Sequence, residues 1–360
     1  MSDARKMSVA VKAGVEERNA DERNDGSRNV VPRNDSYAYF PGCSLTSSAG
    51  EYDASFRLVA KELGIGLDEI PDWNCCGASP APHHWGGNLG VLLPARNLHI
   101  AGYAHDAMVA PCAGCYNRHK NAQHELAGSE EIREQATRVL RQPVRYEIEI
   151  LNLVELFDRE VTPEALAERV QGRLAGLNFA TYYGCLLTRP AKIMNFDNHR
   201  NPVSMKPLLM ATGANADHFP FKSECCGSYM GLAHKEIVLR ASRRIIDVAD
   251  GLGFDAIVTA CPLCHQNLDL RQGQINKAFG TNIEMPILYF SQVLGLALGL
   301  SADDLGIDSH IVSARKLLAK IGQGAADGDE RSITTNNSQG IQKTAESGAS
   351  SSNARVAGEG

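Results

Sequence analysis

Two pairs of adjacent cysteines, Cys75-Cys76 and Cys225-Cys226, each followed by a glycine, constrain this chain more than any other feature. Each pair sits at the centre of a five-cysteine set: Cys43, Cys75, Cys76, Cys112 and Cys115, then Cys185, Cys225, Cys226, Cys261 and Cys264. As patterns the sets read C-x31-CC-x35-C-x2-C and C-x39-CC-x34-C-x2-C, and together they use all ten cysteines. Equivalent cysteines are offset by 142, 150, 150, 149 and 149 residues. So constant an offset marks an internal duplication. Its period is too long for a solenoid and right for two tandem domains.

The segments around the cysteines repeat as well. Tyr37-Ala38-Tyr39-Phe40 is a β-prone run that stops at Pro41-Gly42 and delivers Cys43, and Thr181-Tyr182-Tyr183-Gly184-Cys185 is its counterpart. Ala107 to Ala110 and Ile257 to Ala260 read as buried strands, each ending at a C-x-x-C unit that opens a helix. Ile148 to Leu151 and Met285 to Leu288 close the two halves, followed by helices over Val154 to Arg159 and Ser291 to Leu300. Apolar spacing predicts further helices over Tyr52 to Leu63, closed by Gly64, over Asn88 to Tyr103 with Pro94 as a first-turn or kink marker, and over Tyr229 to Asp250.

Strands alternating with helices predict an α/β fold. The expected architecture is two tandem, pseudo-symmetric, Rossmann-like α/β domains, residues 36–176 and 177–321, each carrying one Cys-Cys-Gly motif. The polar segments 1–35 and 322–360 read as disordered tails. The cysteines fall where strands end and helices begin, the edge of an open α/β sheet at which ligands gather.

Composition narrows the setting. Apolar residues make up 43% and charged residues 22%, as in soluble globular proteins, and a net charge of -6 with no basic run argues against nucleic acid. The longest apolar stretch, Val293 to Leu300, is too short to cross a bilayer, so no membrane span is expected. The N-terminus mixes Asp, Arg, Lys and Glu where a signal peptide needs an apolar core, which points to a cytoplasmic protein. Thiols stay reduced there, so ten cysteines read as ligands or redox groups before structural disulfides.

Thiolates favour soft metals: zinc, Cu(I) or iron–sulfur clusters. Zinc takes four ligands, and each set offers five. Adjacent cysteines diverge too much for one small ion but can serve a larger cluster. Ordinary iron–sulfur clusters use four cysteines at short spacings such as C-x2-C-x2-C, which neither half has, so the pattern points to a non-standard cluster. Thiol exchange at the C-x-x-C units stays open, as does zinc, although exchange leaves six matched cysteines without a role.

The doubled motif resembles the cysteine-rich CCG-domain family, and most closely its heterodisulfide reductase B subunits and their bacterial homologues. The residues that carry the likeness are Tyr39-Phe40-Pro41-Gly42-Cys43, Cys75-Cys76-Gly77-Ala78, Pro111 to Cys115, Cys225-Cys226-Gly227, Cys261-Pro262-Leu263-Cys264 and Met285 to Phe290. The resemblance implies two noncubane 4Fe-4S clusters, one on each five-cysteine set, that face one another and cleave a disulfide between them. It implies partners as well: a ferredoxin-like 4Fe-4S subunit (HdrC-like) and a flavin subunit (HdrA-like). No flavin or nicotinamide fingerprint is present in this chain, since Gly64-Ile65-Gly66 lacks the third glycine. The alternative is a non-catalytic electron-transfer subunit of another oxidoreductase complex, such as a lactate or glycolate oxidation system. His119 and His265, close to the motifs, are candidate proton donors, with His83 and His84 nearby; Lys222 and Arg189 are candidate cations for an anionic thiol.

Overall fold

Very short strands, most of them apolar and buried, carry the fold of the computed structural model. It describes residues 36–79, 82, 87–231 and 233–321; both expected tails, and His83 and His84, lie outside this set. In the first half, β1 (Tyr37–Tyr39), β2 (Leu67–Glu69), β3 (Ala107–Val109) and β4 (Glu149–Leu151) form a parallel sheet in the order β2-β1-β3-β4. In the second, β5 (Phe179–Tyr182), β6 (Ala256–Thr259) and β7 (Ile287–Tyr289) form a parallel sheet in that order. Strands β5, β6 and β7 are fully buried, as parallel strands covered on both faces must be. They repeat β1, β3 and β4. The counterpart of edge strand β2 is reduced to one bridge, Asn178 with Asn215.

The first half carries α1 (Gly42–Leu45), α2 (Gly50–Glu62), α3 (Leu89–Ala101), α4 (Ala113–Gly128), α5 (Glu130–Leu140), α6 (Leu153–Glu160) and α7 (Pro163–Val170). The second carries α8 (Ala191–Met194), α9 (Met205–Ala211), α10 (Lys235–Gly251), α11 (Pro262–Leu268), α12 (Gln272–Phe279) and α13 (Phe290–Leu298). This is the expected α/β alternation with parallel sheets. One helix differs from expectation for a visible reason. The helix expected from Tyr229 starts only at Lys235, because Gly227 and Ser228 have φ of +97° and +48° and turn the chain into a short 3-10 segment, Ser228–Gly231. Pro94, expected to mark a first turn or a kink, lies inside α3 beyond its first turn. A proline there leaves the carbonyl four residues back without its amide partner, and the Arg118 guanidinium of α4 donates to that Gly90 oxygen at 3.0 Å.

The halves share one continuous core. Helix α2 packs on α13 of the other half, and α9 packs on α6 and α7. Across the α2–α13 contact the Tyr52 and Tyr289 rings stack at 4.0 Å and 6°, and the buried Ser55 and Ser291 hydroxyls lie 2.8 Å apart. Helix α4 reaches over as well: Asn117 Nδ2 donates to the Leu186 and Arg189 carbonyls at 2.9 and 2.7 Å, which clamps the loop after Cys185. Each half is thereby held by the other at the edge where the cysteines lie.

Candidate functional site

Eight of the ten cysteines follow the C-terminal ends of strands, and Cys225 and Cys226 follow the Asn178–Asn215 bridge. Cys43 enters on α1 directly after β1, and Cys112 caps α4 directly after β3, which places Cys115 in the first turn. Cys185 follows β5, and Cys261 caps α11, whose first helical residue is Pro262 and whose first turn holds Cys264. The adjacent pairs lie on the loops before α3 and α10. Proline at a first helical position costs nothing, since that amide has no partner in any case.

Within each set the sulfurs divide in the same way. Cys76, Cys112 and Cys115 are buried, as are Cys226, Cys261 and Cys264, while Cys75, Cys43 and Cys225 are exposed and Cys185 is half-buried. The adjacent pair therefore points one thiol inward and one outward. Sulfur separations are 3.2 Å for Cys76–Cys115, 3.6 Å for Cys226–Cys264 and 3.9 Å for Cys185–Cys225. The outer sulfur of each pair accepts a backbone N–H at 3.4 Å, from Gly77 in one half and Gly227 in the other. Among the described residues no group of three or more Cys, His, Asp or Glu side chains is placed to hold one metal ion. Each set offers five sulfurs, one more than a zinc tetrahedron takes.

Proton sharing among the thiols sets their charges. A hydrogen bond from Cys43 holds the Cys75 thiol far below its ordinary range, and Cys43 is pushed up in return. A hydrogen bond from Cys185, helped by the Gly227 amide, lowers Cys225 to about 6. The two sets also meet. Cys112 is pulled down by hydrogen bonds with Cys115 of its own set and Cys261 of the other, and the contact with Cys112 pushes Cys261 up to about 12. Cys112 and Cys261 are equivalent residues, so their contact marks the pseudo-symmetric seam between the two sites.

The turns before the sites require glycine. Gly42 and Gly184 have φ of +68° and +66°, and a Cβ there would lie 2.9 Å from Cys115 Sγ and 3.0 Å from Cys264 Sγ. His119 and His265, the sequence candidates, are both buried. His119 Nε2 lies 3.3 Å from Asn97 Nδ2 and its Nδ1 2.7 Å from the Cys115 carbonyl, with burial lowering its pKa to about 4. His265 Nε2 meets the Ile287 carbonyl at 3.0 Å while its ring stacks on Tyr289. Lys222 is buried and donates to Pro202 O at 3.1 Å, and Arg189 donates to Ser223 Oγ at 3.3 Å, so both cations are held by the protein. Trp73 packs edge-on against Phe40.

Two residues at the site escaped sequence reading. Asn267 donates through Nδ2 to Cys226 Sγ at 3.4 Å and to the Ser228 carbonyl at 3.0 Å. It stands three residues after Cys264 on the same helix, a spacing that puts both on one face. Tyr229, on the 3-10 segment, lies against the first site from the second half, a placement no local pattern encodes.

Known proteins match this architecture. The model of the cysteine-rich domain, CCG, matches residues 37–118 and 179–269, one stretch in each half, together holding all ten cysteines. The chain is 32% identical over 285 residues to the 8-methylmenaquinol:fumarate reductase membrane anchor subunit of Wolinella succinogenes, covering 78% of this chain and 98% of that protein. It is 31% identical over 287 residues to the B subunit of the ferredoxin:CoB-CoM heterodisulfide reductase of Methanosarcina mazei, covering 78% and 95%. A protein of Archaeoglobus profundus described as like the heterodisulfide reductase B subunit is 25% identical over 282 residues. Among solved structures, that of a hypothetical protein from Helicobacter pylori matches with a TM-score of 0.57 at 15% identity over 78% of this chain. The match spans about half of that protein's length, 52%, and concerns fold alone. No helix among the described residues is long and apolar enough to cross a membrane.

Proposed function

Because the chain belongs to the cysteine-rich CCG-domain family, we propose that it is the catalytic iron–sulfur subunit of a heterodisulfide reductase-like complex. Cys43, Cys75, Cys76, Cys112 and Cys115 would hold one noncubane 4Fe-4S cluster, and Cys185, Cys225, Cys226, Cys261 and Cys264 a second. The donors fit that group: they are soft and they come in fives, one more than a zinc tetrahedron takes. When bound, such clusters supply electrons and a soft metal for sulfur. The reaction is two-electron disulfide reduction, RS–SR′ with two electrons and two protons giving RSH and R′SH, or the reverse oxidation of a thiol or sulfane sulfur.

The protein's own part is positioning. The three buried sulfurs of each set line a floor closed to water, and the outer thiols form its rim. The doubled five-cysteine motif carries the reading: the CCG model matches one stretch in each half, and together the two hold all ten cysteines. Electrons would arrive from a ferredoxin-like 4Fe-4S subunit and a flavin subunit in the cytoplasm, where the thiols stay reduced. The substrate would be a disulfide or thiol, free or carried on a protein.

The test is iron and acid-labile sulfide per chain on protein made without oxygen. The proposal requires about eight of each, falling to about half in Cys226→Ala, together with loss of disulfide reduction by a reduced viologen. Stoichiometric zinc, or full iron and activity in the variant, refutes the assignment. The fumarate reductase relative favours a second reading, an electron-transfer subunit of another oxidoreductase complex. In that case the loaded chain accepts electrons yet neither reduces disulfides nor changes its EPR spectrum when a thiol is added.

A further inference from the structure

The duplication is not symmetric at the seam, and the departure is a matched pair. Three residues after the inner cysteine of the adjacent pair, the first half has Ser79 and the second has Tyr229. Between the two cysteines of C-x-x-C, the first half has Gly114 and the second has Leu263. The two odd residues of this set meet in space. A Cβ built on Gly114 would stand 3.0 Å from the Tyr229 hydroxyl and 3.7 Å from both Cys112 Sγ and Ala78 Cβ. The phenol of one half thus occupies the room that the missing side chain of the other leaves, beside a buried thiol of the first site.

The surroundings indicate a role in recognition. Tyr229 is 37% exposed, and among the described residues no hydrogen bond engages its hydroxyl. Its hydroxyl stands over Gly114, the residue directly before Cys115 of the first set. Its backbone is held independently of the ring. Asn267 Nδ2 donates to the Ser228 carbonyl at 3.0 Å, and Arg271 Nε donates to Asn267 Oδ1 at 3.2 Å. A fixed backbone and a half-open ring at the meeting point of two thiol sites are what a ligand-facing group requires. The opposite corner, Ser79 and Leu263, presents no such phenol.

We propose that Tyr229 is a substrate-positioning residue: its hydroxyl donates a hydrogen bond to the substrate sulfur engaged at the first site, and its ring covers that site's mouth. The two sulfurs of a disulfide are then handled unequally. The one on the first site meets an aromatic donor, and the one on the second meets an aliphatic rim. This rests on the disulfide reading above, and its test separates the two.

The first arm uses metal-free full-length chain and iodoacetamide, with peptides resolved by mass spectrometry. Tyr229→Ala is expected to raise alkylation of Cys112 and Cys115 several-fold while Cys264 keeps its rate; Tyr229→Phe keeps the wild-type pattern. An unchanged pattern in Tyr229→Ala overturns the covering role. The second arm uses iron-loaded protein and 2-mercaptoethanol, read by the thiol-induced change in the EPR spectrum. Tyr229→Phe is expected to need several-fold more thiol for half effect. Gly114→Ala, which displaces the hydroxyl, is expected to do the same, but to have no further effect in the Tyr229→Phe background. Wild-type affinity in Tyr229→Phe overturns the hydrogen bond alone. Absence of any thiol effect in the wild type overturns the disulfide reading, and with it this role.

Discussion

Replacing Gly184 with Ala isolates how tightly backbone and sulfur are fitted at the second site. The variant meets two costs. At φ +66° an L-residue is in the left-handed region, which costs about 1–2 kcal/mol. Its methyl would also stand 3.0 Å from Cys264 Sγ. That sulfur cannot retreat, because it is buried on the first turn of α11, and the next residue, His265, is tied to the Ile287 carbonyl. Overpacking of this kind costs about 1–3 kcal/mol, so the total is roughly 2–5 kcal/mol. Gly64 is the control: its φ is +73° and nothing lies within 4 Å of its would-be Cβ, so Gly64→Ala carries only the backbone cost. At roughly 3 °C per kcal/mol, Gly64→Ala lowers the melting midpoint of the metal-free chain by about 3–6 °C and Gly184→Ala by about 6–15 °C. Iron analysis completes the assay: Gly184→Ala loses iron from one site, and Gly64→Ala keeps full occupancy. Equal midpoints and equal iron in the two variants would refute the claim that the thiol position is what demands glycine.

Other consequences are open to direct measurement. Burial raises Glu155 to about 7; a carboxyl so raised favours the folded state below its unfolded value near 4.5 and loses that contribution as pH climbs to 7. Glu155→Gln keeps an acceptor for the Asn152 amide and removes the titration, so its midpoint should gain on the wild type between pH 4.5 and 7, by at most about 3 kcal/mol; parallel curves across that range would count against the shift. Leucine at Tyr52, at Tyr289 and at both should reveal a coupling of about 1 kcal/mol from the stacked rings in a urea double-mutant cycle, and additive losses would show that area alone joins the halves there. Asn267→Ala removes a donor to Cys226 Sγ and should lower the reduction potential of the second cluster only, seen as one of two EPR signals moving in a redox titration; an equal shift in both would place Asn267 outside the site's electrostatics.

The parts of this molecule that repeat were legible in its sequence, and the parts that join the repeats were not. Strand runs ending at Pro41-Gly42, Pro111 and Ala260, and helices opening at Cys112 and Cys261, follow from local propensity and period, which short buried segments express clearly. The α5, α9 and α12 helices went unread; α9, for example, has its apolar face set by α6 and α7 of the other half, against which it lies. The group that meets the Gly90 carbonyl left by Pro94 was not legible either, since it comes from a different helix. Strand β2, Leu67-Asp68-Glu69, is polar because it is an edge strand, and charge there discourages pairing with another chain. Tyr229 and Asn267 show the two limits of site reading: one acts across a seam no spacing describes, whereas the other lies a helical turn from a cysteine and could have been found.

The seam also explains why a duplication of this kind holds its two halves as one core. Each half alone would present a sheet edge with five thiols, three of which are buried when the halves are together. With α2 on α13, and α9 on α6 and α7, the same edges are pressed together, and residues beneath both sites, Tyr52 and Tyr289, become a shared floor. Tyr52 donates to the Pro111 carbonyl at 3.2 Å, directly before Cys112, while His265, directly after Cys264, stacks on Tyr289 at 4.2 Å. The packing that unites the halves is therefore in contact with the chain that positions the thiols. Loosening the α2–α13 contact should disturb both sites together, whereas a change at Gly184 or Asn267 should disturb one. Separated halves would keep their ligand sets and lose their common orientation, which a reaction on two linked sulfurs cannot do without.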